Sequence, residues 1–145
     1  MNQDIIIKAS EIIGKNTMHG AISNTMPYCV LPLLEMNGYP TISTITPSKA
    51  DGINWITFCT GIGSNKVDRI KKCNRASVCF CNENYNITLT GIIEIVTDPT
   101  IKNEMWYEGL NNHFSGADDL EYCVLTFKTE NYNLLIDWNE VRGSL

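Results

Sequence analysis

The sequence predicts a mainly β protein, an antiparallel barrel of about seven strands carrying two or three short helices. Three observations carry that expectation. Runs rich in β-branched and aromatic residues, such as 53–60 and 86–96, recur along the chain. Helix-spaced stretches are few and brief. No strand–helix–strand rhythm repeats, which argues against a parallel sheet. Residues 1–145 contain no internal repeat, low-complexity stretch or linker, so one domain is expected, with a helical lead-in over 1–28 and the barrel over 29–138.

Taken in order, Ile5, Ala9, Ile12 and Ile13 recur at helical spacing and predict an amphipathic helix over 3–15, ending near Gly14. CVLPLLEM (29–36) and YPTISTIT (39–46) flank Asn37-Gly38, a strong hairpin signal in which both turn residues are expected at φ > 0. INWITFCT (53–60) follows as a third strand. Val67, Ile70 and Cys73, at steps of three, predict a short helix over 64–73 with a basic flank. ASVCFC (76–81) and NITLTGIIEIV (86–96) are strands joined by the turn Asn82-Glu83-Asn84. A further helix is expected over 100–114, then a terminal hairpin of LEYCVLTFKT (120–129) and YNLLIDW (132–138).

Composition excludes several classes of function. Eleven basic residues against sixteen acidic ones leave a net charge of −5, without the excess needed to neutralise a nucleic-acid backbone. The longest apolar run, Cys29 to Leu34, contains a proline and is far shorter than the ~20 residues that span a bilayer. The N-terminus lacks the pattern of a signal peptide, so a cytoplasmic protein with six reduced cysteines is expected. Cys79-x-Cys81 could present two sulfurs to one metal, but tetrahedral zinc needs four ligands, and the pair reads as core thiols. His19 and His113 lie in polar segments and read as surface or helix-end residues. No serine-hydrolase or metalloprotease motif occurs, and Asp118-Asp119 reads as a solvated turn.

One stretch combines features with a specific physical consequence. Phe58 to Lys66 runs from a strand through Gly61-Ile62-Gly63 into Ser64 at a helix start, with Lys66 in the first turn. The first N–H groups of a helix have no internal partner, so a phosphate there would meet those donors, a hydroxyl and a cation. Spacing alone leaves a second reading open: Ser64 simply caps the helix and the cations are solvated. Lys66, Arg69, Lys71, Lys72 and Arg75 hold five of the eleven basic residues, and those from Arg69 onward read as solvated surface.

The order GYPTISTIT, INWITFCTGIGSNKVDRI, ASVCFC, YNITLTGIIEIVTD and EMW resembles the pyridoxamine 5′-phosphate oxidase-like superfamily of FMN-binding split barrels, and within it the small general-stress-protein branch. The resemblance covers roughly 29–138, and Phe58 to Lys66 matches the aromatic-x-Thr-x-x-x-Ser-x-Lys phosphate turn. It implies that Ser64 and Lys66 bind the FMN phosphate, with Asn65 between them. By the same resemblance Phe58, Cys59 and Thr60 lie along the cofactor, and Ser43, Thr44, Ile45 and Thr46 run beside the isoalloxazine edge. It implies a homodimer with flavin between subunits, so that Asn86 and Trp106 approach the partner's flavin.

The oxidase proper has cations where Ser43, Ser48 and Asn65 stand, and a longer C-terminal region. FMN binding is therefore expected, and pyridoxal phosphate synthesis is not. A flavin-dependent oxidoreductase of unknown substrate is the resulting expectation, with no catalytic acid, base or nucleophile assigned and no metal. The alternative is a non-enzymatic flavin-binding stress or redox-sensing module. Relatives of this fold also hold a deazaflavin or haem, and for haem the candidate axial ligands are His19 and His113.

Overall fold

The computed structural model describes residues 2–22 and 26–145; Met1 and 23–25 of the expected lead-in lie outside the described residues. Helix α1 (Asn2–Lys15) precedes strands β1 (Cys29–Leu34), β2 (Pro40–Ile45), β3 (Pro47–Asp51) and β4 (Trp55–Gly61). Then come α2 (Asn65–Lys72), β5 (Arg75–Cys81), β6 (Tyr85–Val96), α3 (Pro99–Met105) and a 3-10 turn at Glu108–Asn112. Strands β7 (Tyr122–Ile136) and β8 (Asn139–Ser144) complete the chain.

All strand pairs are antiparallel, in the order β2-β1-β5-β6-β7-β4-β3, with β8 on the free half of β7. The two ends of that order, β2 and β3, are separated in sequence only by Thr46. The sheet must therefore curl until its ends meet at that corner. This is a barrel left split along the rest of the seam, as the split-barrel reading of the sequence requires.

Alternation fills the interior. Leu31, Leu33, Val78, Phe80, Ile87, Leu89, Phe127 and Leu134 point inward from four strands and are buried. Helix α1 lies against β3, β7 and β8 and adds Ala9 and Ile13 to the same core. A second, smaller cluster forms outside β4 and β7, where Met105 and Leu110 cover Tyr122 and Val124. Strand β4 is thus covered on both faces, which fixes the chain that leads into α2.

Four elements differ from the sequence expectation, each for a local reason. The Asn37-Gly38 turn is a longer loop: Gly38 N–H donates to Glu35 O at 3.0 Å, and only Gly38 of the pair has positive φ, at 85°. Strand β3, PSKAD, has too much proline and charge to read as a strand, yet suits an edge paired only with β4. The polar stretch expected to turn at Glu130-Asn131 is instead absorbed by a bulge opposite Thr90 and Gly91, and β7 runs on for 15 residues. A Cβ on Gly91 would meet Lys128 O at 1.9 Å, so only glycine permits this approach. The true terminal hairpin turns at Asp137 and Trp138, two non-glycine residues with φ of 50° and 67°, which no sequence signal marks. The helix expected over 100–114 stops at Met105, with Trp106 extended, and resumes as the 3-10 turn.

Candidate functional site

The site starts from β4. Its inward residues Ile56 and Phe58 are buried in the core, whereas Cys59, Thr60 and Gly61 emerge at its end. There they form one wall of a cavity of about 410 Å³ together with Ile45 and Thr46 from the barrel seam. The opposite wall is Tyr107, Gly109, Leu110, His113 and Phe114, with Met26 at the edge. Lysine, arginine, aspartate and glutamate are absent from this lining among the described residues. The structure thus brings together Ile45 at the end of β2, Thr46 at the corner before β3, and Cys59 and Thr60 of β4.

Gly61 leads directly into the turn. Ile62 N–H donates to Glu121 O at 2.8 Å and Ser64 N–H to Gly61 O at 3.1 Å, which pins the backbone on either side of Gly63. Neither Gly61 nor Gly63 takes positive φ; at Gly63 a Cβ would have nothing within 4 Å, so its contribution is open space. Ser64 is the N-cap of α2, its Oγ accepting from Val67 N–H at 3.3 Å, which leaves the hydroxyl proton free to donate. The N–H groups of Gly63, Asn65 and Lys66 have no acceptor among the described residues. Lys66 is half-buried and makes no ion pair among the described residues. Burial, and then the neighbouring Arg69 charge, hold its pKa below the ordinary lysine range. Capping and anion binding are therefore compatible here, because one hydroxyl can do both.

Arg69 is not solvated, contrary to the sequence reading. Its side chain is 13% exposed, pairs with Glu35 at 3.3 Å, donates from Nε to Asn65 O at 3.3 Å and donates from Nη1 to Thr41 Oγ1. Helix α2 is thereby tied to the β1–β2 hairpin.

The remaining expected residues are dispersed. Phe58 is 0% exposed inside the barrel, so its ring is a core element and its side chain is closed to any ligand. Ser43 faces inward, its Oγ buried with no hydrogen-bond partner among the described residues. Thr44 points the other way and is exposed, and Asn65 is exposed on α2. Asn86 stands exposed on the outer sheet face, its Oδ1 accepting from Cys79 Sγ and Thr88 Oγ1, each at 3.3 Å. Trp106 packs edge-on against Tyr122, with ring centres 5.2 Å apart. Ser48 is buried and hydrogen-bonded to Thr57 at 2.6 Å.

Within the cavity, Cys59 donates to Met105 O at 3.4 Å and lies 3.4 Å from Tyr122 Oη, and burial pushes its thiol pKa up. The Tyr107 hydroxyl is pushed up to about 12, first by burial and then by Cys59. Both therefore stay neutral near neutral pH and offer hydrogen bonds rather than charge. Of the two histidines, His113 lines the cavity, whereas His19 Nε2 lies 3.4 Å from Met105 O. The second wall was missed in the sequence because MWYEGLNNHF was read as one continuous helix; its density of aromatic residues was the available signal.

The fit to a phosphorylated planar cofactor can be tested on these observations. Free amide donors, a hydroxyl and an unpaired ammonium meet at the start of α2, and an uncharged cavity opens one turn upstream. Phosphate and ring both find the chemistry they need.

Comparison with solved structures supports the fold. A protein related to general stress protein 26, of the pyridoxinephosphate oxidase family, from Clostridium acetobutylicum superposes with TM-score 0.78 at 23% identity, covering 100% of this chain and 96% of that one. A pyridoxamine 5′-phosphate oxidase-related, FMN-binding protein from Nostoc punctiforme gives 0.64 at 13% identity, over 99% and 94% of the two chains. A haem-binding protein from Mycobacterium smegmatis gives 0.70 at 13%, over 96% of this chain and 57% of that one. No curated protein sequence matches. No helix among the described residues is long and apolar enough to cross a membrane. The family model described as pyridoxamine 5′-phosphate oxidase like matches residues 21–135, and with the split-barrel fold this places the chain as a member of the pyridoxamine 5′-phosphate oxidase-like family.

Proposed function

We propose that this chain is an FMN-binding flavoprotein of the cytoplasm and a flavin-dependent oxidoreductase. The observation that carries the proposal is the junction of an unpaired cation and free amide donors at α2 with a cavity of about 410 Å³ whose lining is uncharged. Ser64, Lys66 and the N–H groups of Gly63, Asn65 and Lys66 would hold the phosphate. Ile45, Thr46, Cys59 and Thr60 would form one side of the ring site, and Tyr107, His113 and Phe114 the other. Bound flavin supplies the hydride or electron transfer. The chain's own part is to anchor, to exclude water with Leu110 and Phe114, and to present neutral donors at Cys59, Tyr107 and Thr60.

The substrate expected is one without a phosphate group. No cation lines the cavity among the described residues, and position 48, where the oxidase has a lysine, is a serine sealed against Thr57. Pyridoxal phosphate synthesis accordingly finds no support in the geometry. Homodimerisation is part of the same proposal. The outer face of β2, β1, β5, β6 and β7 carries Ile42, Pro32, Ser77, Thr90 and Asn131 in one row and Thr44, Val30, Cys79, Thr88 and Asn133 in the next, with no charge in either. Depletion of charge is the mark of an interface core, and Asn86 lies at the rim of that face.

A haem is the second reading, favoured by His113 in the cavity lining. The absorption spectrum of purified protein incubated with FMN, and separately with haem, tests both. Uptake of FMN with a shifted flavin band is the expected result; a Soret band with no flavin uptake would replace FMN by haem, and uptake of neither would sink both. Reduction of the bound flavin by NADH or NADPH with turnover would mark an enzyme. Bound flavin inert to both would instead mark the non-enzymatic module.

A further inference from the structure

Helix α3 carries a lysine that is not at the surface: Lys102 is 5% exposed and makes no ion pair among the described residues. Its Nζ instead donates to Asp119 O at 2.8 Å and stands 5.2 Å from the centre of the Tyr122 ring. The backbone of the same residue is held by the same tyrosine, because Tyr122 Oη donates to Lys102 O at 2.8 Å. Burying an ammonium without a carboxylate is costly, and an unbranched methionine could cover the ring without that cost. Packing alone therefore does not account for a cation here.

We infer that Lys102 is a positioning residue for the cavity of about 410 Å³, its ammonium clasping the second wall and the loop that carries it, 107–119, to α3. Asp119 draws that loop together, its carboxylate accepting from Ser115 N–H at 2.9 Å, Ser115 Oγ at 3.2 Å and Glu121 N–H at 2.9 Å. Phe114, just before the loop, lines the cavity and lies against Tyr122 with ring centres 5.4 Å apart. Cys59 of the opposite wall lies 3.4 Å from Tyr122 Oη. Lys102 thus acts on both walls through Tyr122 and Asp119 without lining the cavity itself. The wall rests on the smaller apolar cluster, with Met105 and Leu110 over Tyr122 and Val124, and not on the barrel core. It can loosen as a unit while the barrel holds. The turn before α2 is secured separately, since the Ile62 N–H to Glu121 O bond extends the β4–β7 ladder beyond the Gly61–Tyr122 pair.

The test variant is Lys102→Met, which leaves no buried group orphaned: Asp119 O keeps Tyr122 N–H at 3.1 Å, and the backbone carbonyl at 102 keeps Tyr122 Oη. In the unliganded full chain, hydrogen exchange over 107–119 should quicken by about tenfold while β5, β6 and β7 keep the parent rates. The second arm rests on the flavin reading. There the variant should bind FMN about tenfold more weakly, with the flavin band shift diminished, because a wall no longer held in place must be ordered on binding. Its inhibition constant for inorganic phosphate should stay at the parent value, a split that a merely structural lysine would not produce. On the parent alone, FMN should slow acetylation of Lys102 by acetic anhydride, since a bound ring holds the wall shut over a lysine it does not touch. Unchanged exchange over 107–119, exchange quickened equally in the strands, undiminished FMN affinity, or acetylation indifferent to FMN would each overturn the role. A parent that takes up no FMN would instead remove the flavin reading, and the exchange arm alone would then decide whether Lys102 holds the wall.

Discussion

In the proposed phosphate site, Lys66 decides how binding responds to pH. Burial and Arg69 both disfavour its ammonium, so the charge is lost at a lower pH than for an ordinary lysine. Affinity for FMN should therefore fall as pH rises through that depressed pKa, and bound phosphate should pull the pKa back up. Lys66→Ala should weaken FMN binding by about 1–3 kcal/mol, the scale of one charge-assisted contact, and flatten the high-pH decline. Flavin fluorescence titrations across pH measure both effects. Unchanged affinity would return Lys66 to a solvated role. Ser64 differs in kind: its Oγ already accepts from Val67, so its loss would affect helix and ligand together. The residue types of this turn were legible in sequence because chain neighbours form it. Phe58 was not, because strand alternation, which sends its ring inward, depends on which face the rest of the barrel covers.

At the scale of elements, the device that matters is the tie between α2 and the β1–β2 hairpin. Arg69 reaches Glu35 and Thr41 while 13% exposed, so one guanidinium joins α2 to the strand that continues through Ser43 to Ile45. Arg69→Ala should lower stability by about 1–3 kcal/mol in urea unfolding, because it strips partners from groups that are partly buried. Arg69→Lys should recover only part of this, since an ammonium cannot reproduce the planar fork that contacts two partners. Full recovery by lysine would show that charge alone is needed. The sequence showed five cations in a cluster but not which of them faces a hairpin some thirty residues earlier. That assignment is long-range packing, invisible to helical periodicity.

For the whole molecule, the curled sheet creates two surfaces of opposite character. Its inner face is sealed by α1 and α2, whereas two rows of the outer face are uncharged and stand without cover from the described residues. Ile42 is 71% exposed at the centre of the β2 edge. In the proposed homodimer, Ile42→Arg would place a desolvated charge in the interface and should convert dimer to monomer in sedimentation velocity, with the far-UV spectrum unchanged. A parent protein that is already monomeric at micromolar concentration would remove the dimer from the proposal.

By itself the sequence determined the class of the fold, the positions of most strands along the chain, the helix starts and the residue types of the turn from Gly61 to Lys66. Those features depend on periodicity, β-branching and capping, all of which act between near neighbours. Only the tertiary structure decided that β7 runs through a bulge into a hairpin made by Asp137 and Trp138, and that Cys79 and Cys81 face outward. It also decided that residues from β2, β4 and the segment after α3 surround one cavity. The physical reason is the same in each case: which side of a strand is buried, and what lies across a cavity, are set by sheet closure between segments far apart in the chain.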